Sequence, residues 1–155
     1  MDIRLPWPGK TKNAGLRDLL PLCQAKIRRL IPFEVVETPE ARGVAERFEE
    51  KILEIEARGL EKRLKDDYIV CLFDKGQHMS SVELARFFEK LSAGSVRTVT
   101  FIVGGFLGLA PRILDRAALR LSLSKMTFSH EMCRVMLMEQ IYRSLSISRG
   151  RAYAK

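Results

Sequence analysis

Two segments of this chain have the composition and position to do chemistry: Gly104-Gly105-Phe106-Leu107-Gly108 and Leu123-Ser124-Lys125-Met126-Thr127-Phe128. Each follows a short apolar run, at 98–103 and 119–123, that reads as a buried strand. Glycine lets main chain approach a ligand closely. Loops outside the carboxyl ends of strands are where open α/β sheets hold small molecules. The expected chemistry is recognition of a small molecule largely by main-chain groups, with Leu72, Leu123 and Met126 as apolar walls. Metal chemistry is not expected: Cys23, Cys71 and Cys133 are far apart, with no Cys/His ligand spacing and no disulfide framework. No G-x-G-x-x-G follows the first strand, which disfavours a conventional dinucleotide enzyme.

The elements that must position these loops alternate between strand-like and helix-like patterns. Residues 3–5 read as a short first strand cut off by Pro6 and Pro8. Leu16, Leu19, Leu20, Cys23, Ile27 and Leu30 follow helical spacing, with Pro21 starting or kinking that helix. Residues 33–37 read as a strand. Val44, Phe48, Ile52 and Ile55 give a second helix, loosened by Gly59. The continuous apolar run at 68–73 suits a strand covered on both faces. Ser80 and Glu83 match a capping box, and Leu84, Phe87, Phe88 and Leu91 form the face of the helix that Gly94 ends. Pro111 suits a first helical position. The fold class is α/β: a mostly parallel sheet with helices on both faces. The last helix, from His130, is apolar almost all round, which predicts burial against its own sheet on one side and a second copy on the other.

At 155 residues the chain suits a single domain, 1–155. Lys and Arg number 27 against 19 Asp and Glu, a net charge of +8. A basic domain of this size is expected to meet nucleic acid or another polyanion. The first residues lack the apolar core of a signal peptide, and no run approaches the about 18 apolar residues of a membrane span. With cysteines that read as free thiols, this points to the cytoplasm.

One ordered series of motifs is more specific. It comprises Asp67-Tyr68-Ile69-Val70, Ile102-Val103-Gly104-Gly105 with Gly108-Leu109, Leu121-Ser122-Leu123-Ser124-Lys125-Met126-Thr127-Phe128, His130 with Arg134-Val135, Glu139-Gln140-Ile141-Tyr142-Arg143 and the terminal Tyr153. The series resembles the large-subunit ribosomal RNA pseudouridine methyltransferases, a minimal branch of the SPOUT (knotted) methyltransferases, over essentially the whole chain. The resemblance implies a C-terminal deep trefoil knot, a homodimer and S-adenosyl-L-methionine (AdoMet) bound at the knot. It places Leu72, Gly104, Gly105, Gly108, Leu123, Ser124, Lys125, Met126, Thr127 and Phe128 around the cofactor. It implies methylation of N3 of a pseudouridine on an assembled ribosome, with Arg134, Arg143, Arg149 and Arg151 toward the RNA, assisted by Lys10 and Lys12. Tyr153 and Lys155 take the catalytic positions.

The chain departs from the family at its end, where Ala154 stands in place of a histidine between Tyr153 and Lys155. Phe73 replaces an acidic residue, Ser129 replaces a proline, and Pro8-Gly9-Lys10 replaces Val-Gly-Lys. Two alternatives therefore stay open: a catalytically impaired, ribosome- or RNA-binding homologue, and a knotted methyltransferase with a different RNA substrate.

Overall fold

The computed structural model describes residues 1–65 and 67–150. The elements run β1 (Asp2–Pro8), α1 (Ala14–Arg28), β2 (Phe33–Thr38), α2 (Glu49–Glu61), β3 (Tyr68–His78), α3 (Ser81–Ala93), β4 (Thr98–Ile102), α4 (Pro111–Leu114), β5 (Leu119–Ser122) and α5 (His130–Ser148). The strands form one sheet in the order β2-β1-β4-β3-β5, and every neighbouring pair is parallel.

Helices cover both faces, as the apolar runs require. On one face Leu20, Ile27, Leu84, Phe88, Leu137 and Ile141 pack against Ile3, Leu5, Val70, Val99 and Phe101. On the other, Ala57, Leu60, Ile113 and Leu114 pack against Ile69, Cys71 and Ile102. Successive residues of a strand point to opposite faces, so Ile69, Val70 and Cys71 divide between the two cores and the run must be apolar throughout. The capping box forms: Ser80 N donates to Glu83 Oε2 at 2.7 Å, and Glu83 N to Ser80 Oγ at 3.2 Å.

Three expectations about the elements are corrected. β1 does not stop at Pro6. Its even residues face β4, as the bonds from Asp2 N to Arg97 O and from Val103 N to Pro6 O show, while Ile3 N donates to Pro32 O on the β2 side. Pro6 and Pro8 turn toward β4, where registered pairing ends at Arg4, so their missing donors cost no ladder bond. α2 begins at Glu49, after Val44 and Phe48, and Gly59 lies inside it, packed against Pro39. β3 runs on to His78 across a bulge: both Leu72 and Gln77 pair with Leu121, so residues 73–76 loop out. Gly76 permits this, because a Cβ there would lie 2.6 Å from the Arg120 carbonyl oxygen.

Pro21 is accommodated inside α1, which starts earlier, at the cap Asn13. α5 packs against α1 and α3 through Leu137, Met138, Ile141 and Leu145. Cys71 is buried, and burial pushes its thiol up to about 12.

Candidate functional site

A cleft of about 350 Å³ opens where β4 and β5 end and where β3 bulges. This lies in the range of small-molecule sites, about 300–1,000 Å³. Its first wall is the turn after β4. Gly108 adopts a φ of +78°, and its amide donates to Gly105 O at 3.0 Å. A Cβ on Gly104 would lie 2.4 Å from the Gly108 carbonyl, so position 104 admits only glycine in this turn. The second wall is the loop after β5. Ser122 Oγ donates to Ser124 O, and Met126 N donates to Ser124 Oγ, each at 2.9 Å. These bonds fold the loop over the cleft and leave Leu123, Met126 and Phe128 as its apolar lining.

The third wall is the start of α5. Ser129 caps this helix, accepting from Met132 N at 3.2 Å. Glu131 in its first turn accepts from the amides of Lys12 (2.9 Å) and Asn13 (2.8 Å), which pins α5 to the start of α1. His130 and Cys133 therefore face the cleft. Burial and the nearby Arg134 hold the His130 imidazole below its ordinary value, with Glu131 opposing, so it is neutral at physiological pH.

Leu72, Gly104, Gly105, Gly108, Leu123, Ser124, Met126, Thr127 and Phe128 all line this cleft, as the sequence pattern leads one to expect. Lys125 does not; its side chain is exposed beside the rim. Sequence reasoning missed Phe73 and Asp74, brought in by the bulge of β3, and Leu109, His130 and Cys133. The glycine at 76 was the available signal for the bulge. Among the described residues no cluster of His, Cys, Asp or Glu could hold a metal, and no helix is long and apolar enough to cross a membrane.

The family model described as "Predicted SPOUT methyltransferase" matches residues 1–154. The chain belongs to the SPOUT methyltransferase family. The "Ribosomal RNA large subunit methyltransferase H" of Clostridium beijerinckii is 35% identical over 159 residues, covering 100% of both chains. The protein of the same name from Geobacter metallireducens is 37% identical over 154 residues, covering 99% of this chain and 98% of its own. A solved structure described as a probable methyltransferase from Bordetella pertussis Tohama I shares the fold: TM-score 0.57, 14% identity, 92% of this chain and 95% of that one.

Of the RNA-facing residues expected of this SPOUT methyltransferase, Arg134 needs correction. Arg134 is 1% exposed. Its guanidinium donates to Thr11 Oγ1 at 3.0 Å and to Pro8 O at 2.7 Å, and lies 4.9 Å over the Trp7 ring. Because the helix is pinned at Glu131, the arginine one turn later points inward and ties α5 to the end of β1. Arg143 donates to Glu139 Oε1 at 2.5 Å, and Arg149 donates to the Leu30 carbonyl. Arg151, Tyr153 and Lys155 lie outside the described residues. Lys10, Lys12 and Lys125 are exposed.

Proposed function

We propose that this protein is an AdoMet-dependent methyltransferase acting on N3 of a pseudouridine in large-subunit ribosomal RNA. One observation carries the reading: a main-chain-lined cleft of about 350 Å³ sits on the two loops that the family motif predicts, in a chain matched end to end by relatives named as ribosomal RNA large subunit methyltransferases. The residues present suit AdoMet. Gly104, Gly105 and Ser124 present main chain to its polar groups, and Leu72, Leu123, Met126 and Phe128 offer apolar surface to its adenosyl and thioether parts. When bound, AdoMet supplies an electrophilic methyl on a sulfonium.

The protein's own part is orientation, water exclusion and handling of the imide proton. Exposed Lys10, Lys12 and Lys125 attract RNA phosphates, and the +8 charge makes that attraction broad. Tyr153 and Lys155 are carried as the residues that complete the catalytic end. The unit is a single domain, 1–155, with the family's C-terminal knot, working in the cytoplasm as a homodimer. Support for the dimer comes from exposed apolar side chains: Phe106, Met126 and Phe128 at the cleft, and Met132 in the first turn of α5.

The test is transfer of labelled methyl to three purified targets in parallel: large subunits, assembled ribosomes and transfer RNA. Label on the large-subunit RNA supports the proposal. Label on transfer RNA alone favours a different substrate. Ribosome binding with no label anywhere favours the impaired homologue that Ala154 suggests.

A further inference from the structure

A second hollow, of about 170 Å³, shares no lining residue with the donor cleft. Arg4 of β1 stands in register with Glu34 of β2 and Thr100 of β4, so the three side chains form a row on one face of the sheet. It is the face that α2 and α4 cover, and Ile69, Cys71 and Ile102 keep it apolar elsewhere. β1 and β4 are interior strands of a parallel sheet, where an apolar face is the rule. Here the row is polar, and Arg4 is half-buried in the hollow.

The rest of the charged lining comes from the turn that follows α2. Arg63 N donates to Leu60 O at 2.8 Å and Leu64 N to Glu61 O at 3.1 Å. Leu64 is buried in the core, which leaves Lys62, Arg63 and Lys65 exposed around the hollow. Among the described residues none of the three has an ion pair, and the neighbouring Glu61 is taken by Arg112. Glu34 is the only described acid in the lining. A helix C-terminus favours basic residues, which accounts in part for Lys62 and Arg63. It does not account for Arg4, which comes from β1. Arg4 is also loosely held: its Nε lies 3.7 Å from Glu34 Oε2 and its Nη1 3.9 Å from Asp67 Oδ2, both beyond hydrogen-bond range. Asp67 accepts instead from Thr100 Oγ1, at 2.7 Å.

We infer that this hollow is a second RNA contact, in which Arg4 and Arg63, flanked by Lys62 and Lys65, hold one backbone phosphate outside the donor cleft. This rests on the RNA methyltransferase reading above. The N–H fork of Arg4 is unspent, and a guanidinium fork binds phosphate through two parallel hydrogen bonds. The hollow is smaller than small-molecule sites of about 300–1,000 Å³, so it suits a phosphate group rather than a whole nucleotide. Cations gathered without an anion repel one another, and a phosphate relieves that repulsion. From Thr100 to Gly104 the chain runs about 13 Å at about 3.3 Å per residue. That is about four nucleotides of a stacked strand at about 3.4 Å each, so one RNA reaches both sites. A grip on the backbone there fixes the register of the RNA without reading its sequence.

The test measures ribosome affinity against salt for wild type, Arg63→Gln, Arg4→Gln and the double variant. Lys51→Gln removes a charge from α2 outside the hollow and serves as control. Each single variant should lower the salt slope by about 1. The double variant should lower it by no more, because both residues serve one phosphate. Lys51→Gln should keep the wild-type slope. AdoMet affinity by calorimetry should not move, and KM for ribosomes should rise. Arg63 is exposed, so its variant reads the contact even where Arg4→Gln lowers Tm. A wild-type slope in Arg63→Gln would overturn the inference. So would an equal loss in Lys51→Gln, or an additive loss of about 2 in the double variant, since both mark diffuse surface charge. Inorganic phosphate, set against chloride at equal ionic strength, separates the two sources of the anion. A phosphate-raised Tm that Arg63→Gln abolishes, with ribosome binding untouched, would assign the hollow to a free phosphate ligand and refute the RNA contact. A wild type that binds AdoMet but no ribosome would overturn the reading of function, and this contact with it.

Discussion

The amide of Asn13 donates to Glu131 Oε1 at 2.8 Å, joining the cap of α1 to the first turn of α5 across 118 residues of sequence. The Lys12 amide donates to the same oxygen at 2.9 Å. A carboxylate at a helix N-terminus is also favoured by the helix dipole. This contact sets the angle of α5, and so places His130 and Cys133 on the cleft and Arg134 in the interior.

Glu131→Gln should lower stability by about 1–3 kcal/mol at neutral pH, because hydrogen bonds to a charged acceptor are weakened. Burial alone would raise this carboxyl, but the amides of Asn13 and Lys12, with His130 and Arg134, hold it below its ordinary value. A depressed folded value gives stability that is present above the unfolded carboxylate value and lost as pH falls through the folded one. Melting curves across pH should therefore show a gap between wild type and variant that is full at neutral pH and closes in acid. A gap of constant size would refute the electrostatic account.

Arg134→Lys should behave as a core substitution. Loss of the forked bonds to Thr11 and Pro8 and of stacking on Trp7 should cost about 2–4 kcal/mol. Lys125→Gln should leave Tm unchanged and reduce the salt slope of RNA binding by about 1. Denaturant melts and a salt series of RNA affinity check both. The reverse pattern would restore Arg134 as an RNA contact.

Gly104→Ala should abolish donor binding while the sheet persists. The new Cβ would meet the Gly108 carbonyl at 2.4 Å and force the turn open. A displacement of that size should weaken AdoMet by about 100-fold or more. Calorimetry beside circular dichroism reads the two effects separately, and near-normal affinity would remove this turn from the site.

Ala154→His restores the residue that the family motif carries. An imidazole between Tyr153 and Lys155 supplies a base for the imide proton, and kcat should rise by about 100-fold. An unchanged kcat, measured as labelled methyl transferred to ribosomes, would take the position of Ala154 out of the proton transfer.

Much of the fold was legible because both sheet faces are covered. That forces continuous apolar runs in β3 and β4 and leaves no ambiguity about a parallel sheet. The capping box of α3 and the turn at Gly104 and Gly105 were equally local. What depended on three-dimensional pairing was not. Pro6 and Pro8 read as strand breakers, since the thinning of the β4 ladder beyond Arg4 leaves no trace in sequence. Phe73 read as the end of a strand rather than as cleft lining, because a bulge depends on its partner's register. Arg134 read as an RNA contact because a lone arginine is normally solvated. Its burial follows from Trp7, more than a hundred residues away.

The most direct test of the central claim is methyl transfer from labelled AdoMet to ribosomes from a strain lacking this modification, followed by mapping of the labelled nucleotide. The account predicts label on N3 of one pseudouridine in large-subunit RNA, lost with Gly104→Ala. Bound AdoMet with no label on any ribosomal pseudouridine would contradict it.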